Sequence, residues 1–216
     1  MYFGFKVGIN AMDMAYSKDR VHFVNHSVLY QRPFSKDALG CLVGGVTFER
    51  TLPRFSYGLE GMLTGTNAVA PADTTKFHYA TQDTAYFLHV RVPIRLNLLK
   101  DKKVTPYLFV APDVSTYIDH KIGKKGPHSI WNGMEVNWGS NNTNWFDIHL
   151  IAGAGMNVRI DWGDYEFCAR LEAGYNLGLL NTIPKELKLQ RKTRGWETTI
   201  GLSFPLFKNP SYQWFM

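Results

Sequence analysis

The sequence lacks any long apolar run. No stretch of about 18 consecutive apolar residues occurs in its 216, which excludes a transmembrane helix. The mean hydropathy of −0.21 is likewise too low for a bundle of membrane helices. Cysteine is scarce: Cys41 and Cys168 are the only two, too few for a secreted disulfide scaffold. Positive charge is in excess, at +6 with a pI near 9.2, but it is not clustered. The cations fall in the Lys100-Asp101-Lys102-Lys103 turn, around Lys121 to Lys125, and around Lys185 to Arg194. No helix-turn-helix or aromatic single-strand-binding pattern accompanies them, so they read as solvated loop charge and no nucleic-acid partner is expected. No signal peptide is visible, since Met1-Tyr2-Phe3 leads straight into a strand pattern. An exported chain is then expected to have had its leader removed or replaced.

Aromatic residues (14%) and glycines (19 of them) are plentiful, set among short apolar runs, which is the composition of an all-β protein. Period-two alternation recurs about eight times. Phe3, Phe5, Val7 and Ile9 oppose Gly4, Lys6, Gly8 and Asn10. Later segments lie at about 40–51, 55–64, 88–98, 105–118, 147–160, 167–178 and 196–206. The clearest sets Leu88, Val90, Val92, Ile94, Leu96 and Leu98 against His89, Arg91, Pro93, Arg95 and Asn97.

Alternation alone fits either a soluble barrel, apolar inside, or a membrane barrel, apolar outside. Three features favour the membrane. The segments run about 9 to 12 residues, the length a tilted strand needs to cross a bilayer. The polar faces combine glycine with charges of both signs, as a narrow lumen requires. The connections alternate strictly between long (about 11–38, 66–85, 119–144 and 180–193) and short (Leu52-Pro53-Arg54, Lys100 to Lys103, Asp161 to Asp164).

The expected fold is therefore an all-β, eight-stranded antiparallel transmembrane barrel over residues 1–207, with four long extracellular loops and a periplasmic tail over 208–216. It belongs in the outer membrane of a Gram-negative bacterium. Pro93, Pro106 and Pro112 lie within or near strands, where bulges or irregular pairing are expected. Tyr2, Phe3, Tyr107, Trp145, Trp162, Tyr165, Trp196 and Phe207, with Tyr57 and Phe204, sit near strand ends as candidate interfacial aromatics.

Eight strands enclose a space that side chains just fill. The inward set holds Lys6, Arg91, Arg95, Arg159 and Arg170 against Glu49, Glu60, Asp113, Asp147, Glu172 and Glu197. Buried charges persist only when paired. A salt-bridged plug is expected, with Glu60 and Glu172 near Arg91, Arg95 or Arg170. The rival is a polar channel for small solutes. Both cysteines face inward at opposite ends, so no disulfide is expected.

No catalytic or cofactor-binding set is expected. His22 and His26 lack further ligands at zinc spacing. His149 beside Asp147 reads as a hydrogen-bonded core residue. Gly153-Ala-Gly155 lacks the third glycine and the helix of a dinucleotide loop. A lipid-modifying rim enzyme would need residues such as His120, His128 and Ser129.

Several segments resemble the PorT-type outer-membrane barrel family of Bacteroidota. These are Phe3-Gly-Phe-Lys-Val-Gly-Ile-Asn10, Tyr57-Gly-Leu-Glu-Gly-Met-Leu63, Val90-Arg-Val-Pro-Ile94, Pro106-Tyr-Leu-Phe-Val-Ala-Pro112, Asp147 to Gly155, and Leu171-Glu-Ala-Gly-Tyr-Asn-Leu-Gly178. The resemblance covers most strands and little of the loops. It implies an eight-stranded outer-membrane barrel with a periplasmic N-terminus, in a family named for a protein needed for type IX protein secretion. With the four long loops, the expected role is a non-enzymatic component of a protein secretion or assembly complex, type IX by the resemblance. The chain departs from barrels that end on an aromatic, since a tail closing in Trp214-Phe215-Met216 follows Phe207. The expected partners are outer-membrane lipid and other outer-membrane or periplasmic proteins, engaged through rims and loops. Loop three carries Trp131, Asn132, Gly133, Trp138, Asn141, Asn142 and Trp145, which suit a partner interface. The alternatives are a structural or narrow-pore barrel beside a larger transporter, a rim enzyme, and a soluble ligand-binding barrel.

Overall fold

The computed structural model describes residues 1–16, 22–24, 27–30, 41–70, 80–99, 102–125, 136–137, 146–162, 165–181 and 191–206. Eight long strands build the wall. They are β1 (Tyr2–Tyr16), β2 (Cys41–Thr51), β3 (Phe55–Ala70), β4 in two pieces (Ala80–Arg91 and Ile94–Asn97), β5 (Val104–Lys125), β6 (Phe146–Trp162), β7 (Tyr165–Gly178) and β8 (Arg191–Pro205). Short pieces at His22–Val24, Ser27–Tyr30 and Val136–Asn137 lie outside this set.

Each strand pairs antiparallel with the next, from β1–β2 round to β7–β8. The ring closes because β8 also pairs with β1, from Tyr2↔Pro205 to Tyr16↔Arg191. Closure leaves no exposed strand edge, which is what a sheet in hydrocarbon must achieve. Three connections at one end are short and the others are longer, so the barrel has a turn end and a loop end.

The wall is apolar outside and polar inside. Among the described residues, 21 polar or charged side chains are buried against seven hydrophobic ones. Phe5, Val7 and Ile9 of β1, Val90, Ile94 and Leu96 of β4, and Ile200, Leu202 and Phe204 of β8 are all exposed on the outer face. A water-soluble protein shows the reverse. An exterior this apolar would aggregate in water and is stable only against lipid.

The strands outrun their alternation signal. They span 11 to 22 residues in the case of β2 and β5, against the expected 9 to 12. β1 continues to Tyr16, β3 to Ala70 and β5 to Lys125, into segments expected to be loop. The ladder runs on where outward positions turn polar, because backbone pairing does not need a lipid-facing side chain. Apart from the short pieces at 22–24, 27–30 and 136–137 and the start of the last loop at 179–181, the rest of the long connections, including the tryptophans of loop three, lies outside the described residues. So do Phe207 and the tail.

The three prolines behave differently. Pro93 interrupts β4, as expected, and its carbonyl accepts the Gly58 N–H at 3.1 Å. Pro106 and Pro112 sit inside the unbroken β5, contrary to expectation. A proline loses only its donor, and the carbonyls of Pro106 and Pro112 still accept from Leu98 and Val92 at 2.9 and 3.0 Å. The register shift in this region falls instead between Tyr86 and Phe87.

Candidate functional site

Inward alternation brings charges from every strand into one lumen. Arg95 of β4 stands at the centre, with no exposed surface. Its guanidinium donates to Glu60 of β3 at 2.6 Å, Glu172 of β7 at 2.7 Å and Glu49 of β2 at 3.0 Å. Lys6 of β1 donates to Glu60 at 2.8 Å and also pairs with Glu172. Arg170 of β7 reaches Glu49 at 2.6 Å and donates to Asn157 of β6 at 2.8 Å. Tyr107 of β5 donates its hydroxyl to Glu172 at 2.7 Å. Each carboxylate here has at least two charged or hydroxyl donors, the condition under which ions persist away from water.

A second group lies toward the loop end. Arg91 forks onto both oxygens of Glu197, at 2.5 and 2.8 Å, and its Nε lies 3.4 Å from Asp113. Asp113 meets His89 Nδ1 at 2.6 Å, and His89 Nε2 meets Thr64 at 2.8 Å. His149 is hydrogen-bonded to Ser115 and Asn176, each at 2.9 Å, and lies 3.3 Å from Asp147. Asp147 also accepts from the Thr193 hydroxyl at 3.0 Å and the Leu180 N–H at 3.1 Å. The two imidazoles meet edge-on, 5.4 Å apart.

Glycine makes room for these side chains. A Cβ on Gly155 would come within 2.5 Å of the Tyr107 ring, so the ring occupies the space that a side chain would take. Between Lys6, Glu60, Arg91, Arg95 and Glu172 lies a cavity of about 10 Å³. That is room for one water and not for a solute.

Of the expected network, Lys6, Glu49, Glu60, Arg91, Arg95, Asp113, Asp147, Arg170, Glu172 and Glu197 are all buried and turned inward. Arg159 is not part of it. It has the inward register but lies past the lumen at the turn end, where its half-exposed side chain pairs with Glu166 at 3.3 Å. Two expected interfacial aromatics also turn inward. Tyr107 is buried in the network at 1% exposure. Tyr2 has the lumen-side register of Gly4 and Lys6, and its hydroxyl donates to Glu166 at 3.2 Å. The parity of the strand decides both cases. Tyr107 shares its face with Asp113, and Tyr2 shares its face with Lys6.

Phe3, Tyr57, Trp196 and Phe204 have the outward register. Trp162 and Tyr165 pair across the β6–β7 turn, and their side chains lie outside the described residues, as does Trp145. Sequence reasoning left His89, Thr64, Ser115, Asn157, Asn176 and Thr193 out of the network. Being uncharged, they carry no sign to balance, and alternation was the only signal that could place them. Cys41 and Cys168 sit in register with Asn10 and with Ser203, at opposite ends of the lumen, and no disulfide joins them.

Ser115, His149 and Asn176 have the order of a nucleophile, a base and an orienting group. All three are buried, at most 1% exposed. Among the described residues no group of three or more His, Cys, Asp and Glu side chains could hold a metal ion.

A closed antiparallel ring with a lipid-facing exterior and a charged, filled lumen defines a transmembrane β-barrel of the outer-membrane type. Comparison of folds returns barrels of this kind. The outer-membrane protein OprG of Pseudomonas aeruginosa aligns over 94% of both chains at 10% identity and a TM-score of 0.44. The outer-membrane protease OmpT of Escherichia coli aligns over 94% of this chain and 96% of its own at 10% identity and a TM-score of 0.37. No family model and no curated protein matches the sequence.

Proposed function

We propose that this protein is a non-enzymatic outer-membrane barrel acting through its rims and loops as a component of a protein secretion or assembly complex. The observation that supports this reading is the filled lumen. Lys6, Arg91, Arg95 and Arg170 are locked onto Glu49, Glu60, Glu172 and Glu197, with space for about one water between them. A barrel whose lumen passed no solute would work by what its surfaces hold. The turn end faces the periplasm and the loop end the exterior, following the usual placement of short turns and long loops. The resemblance to the PorT-type family suggests type IX secretion as the machinery.

The test is purification from native membranes in mild detergent, with mass spectrometry of what accompanies the barrel. Secretion subunits in stoichiometric amounts are expected. A monomer with no companions in several mild detergents would refute the reading and favour a purely structural barrel.

A further inference from the structure

The loop end of β8 carries two cations on the outer wall, away from the lumen network. Thr193, Gly195 and Glu197 are buried and face inward, so Lys192, Arg194 and Trp196 alternate onto the lipid side, where all three are exposed. Trp196 is 62% exposed. Across the ladder it meets Tyr175 of β7 edge-on, with ring centroids 5.2 Å apart at 73°. An exposed Trp–Tyr pair near the end of a membrane wall marks the depth at which hydrocarbon gives way to headgroups. Arg194 and Lys192 lie two and four residues further along the strand, about 7 and 14 Å at ~3.4 Å per residue.

Their register neighbours are few in charge. Arg194 lies between Leu177 of β7 and Asp13 of β1, and Lys192 lies beside Ala15. The sequence in register here holds one acidic residue against two cations, a net positive charge along this stretch of β8. The lumen carboxylates belong to the other face of the sheet.

We infer that Lys192, Arg194, Trp196 and Tyr175 form a binding face for the phosphorylated sugar headgroup of an outer-leaflet glycolipid. Each part of such a lipid meets a matching element. The guanidinium fork of Arg194 suits a phosphate, and the Lys192 ammonium adds a second point charge. The rings of Trp196 and Tyr175 present flat apolar surface at the depth of the sugar. The acyl chains run down over Ile200, Leu202 and Phe204, which continue the same outward face of β8. With the loop end outward, the cations stand at the level of the outer-leaflet phosphates. The inference does not depend on the secretion role.

The test uses the full barrel in detergent micelles doped with bisphosphorylated lipid A, read by native mass spectrometry of the retained lipid. The wild-type barrel is expected to retain lipid A and to release its fully dephosphorylated form. Lys192→Glu/Arg194→Glu is expected to lower retention by roughly 30-fold or more, from about a fivefold factor per membrane-facing cation. Lys192→Arg/Arg194→Lys should retain lipid as the wild type does. Lys102→Glu/Lys103→Glu, the same charge change at the turn end, should also leave retention unchanged. Heat-modifiable migration on gels confirms that each variant is folded, and Lys192→Gln/Arg194→Gln replaces the reversal if that one fails to fold. Equal retention by the loop-end variant and the wild type overturns the inference. So does an equal loss in the turn-end variant, retention of the dephosphorylated lipid, or displacement of lipid A by millimolar inorganic phosphate, which would make this a free-anion site.

Discussion

Replacing Arg95 with methionine tests whether the lumen is held by charge. Three carboxylates converge on this one guanidinium, at 2.6, 2.7 and 3.0 Å. Methionine keeps most of the stem and removes the head. Around this point Lys6, Arg95 and Arg170 face Glu49, Glu60 and Glu172, three charges against three. The variant leaves two against three. Breaking a buried pair by removing one partner costs about 3–5 kcal/mol. Lys6 still pairs with Glu60 and Glu172, and Arg170 with Glu49, so the lower figure of about 3 kcal/mol applies. For a chain of this size that lowers the transition by roughly 6–12 °C. The assay is thermal unfolding in detergent micelles, followed by loss of heat-modifiable migration. The double variant Arg95→Met/Glu172→Gln restores the balance to two against two and should regain at least half of the loss, because contacting sites couple. An Arg95→Met transition at the wild-type temperature would refute the reasoning. A double variant no more stable than the single would refute it as well.

Other consequences are open to simple checks. Gly155→Leu should displace the Tyr107 ring and cost about 1–3 kcal/mol by overpacking, read as a lower urea midpoint. An unchanged midpoint would mean that the ring has other room. Tyr107→Phe should cost less, about 1–2 kcal/mol, by removing one donor from Glu172 while leaving its cations. In planar bilayers the wild-type barrel should show no steady conductance, and regular single-channel steps would show that the lumen is open. Thiol labelling of denatured, unreduced protein should find both Cys41 and Cys168 reactive, and absence of labelling would reveal a disulfide.

The wall and its two faces were legible because alternation records both chemistry and geometry. Each inward charge of β1 to β8 is placed by the parity of its neighbours, as Glu60 is by Gly58 and Met62. The same parity places Tyr107 and Tyr2 inward, where aromatic character alone suggested the interface. Aromatic content says that a side chain favours an interface, and parity says which face it is on. Where the two conflict, parity governs, because the backbone fixes it. Strand ends were less legible. Beyond the bilayer the outward positions no longer need to be apolar, so the pattern fades at Ala11 to Tyr16 while the ladder continues. Arg159 shows the limit of parity, which gives the face and not the depth. A count of charges placed Asp113 and Asp147 but passed over Thr64, Ser115, Asn176 and Thr193, which hydrogen-bond around His89 and His149 and carry no formal charge.

Every strand contributes at least one charged residue to the lumen, from Lys6 on β1 and Asp147 on β6 to Glu197 on β8. Some partners are remote in sequence, and Arg91 and Glu197 are 106 residues apart. A partly zipped sheet would therefore hold unpaired ions on one face while its other face already sought hydrocarbon. Until β7 and β8 are in place, Arg95 lacks Glu172 and Arg91 lacks Glu197, so the incomplete sheet carries ions without all of their partners. The cost of those unpaired ions favours insertion coupled to ring closure over insertion of a partial sheet. The charges that fill the barrel also act as a proofreading device for its assembly, penalising any strand order or register that leaves an ion without its partner.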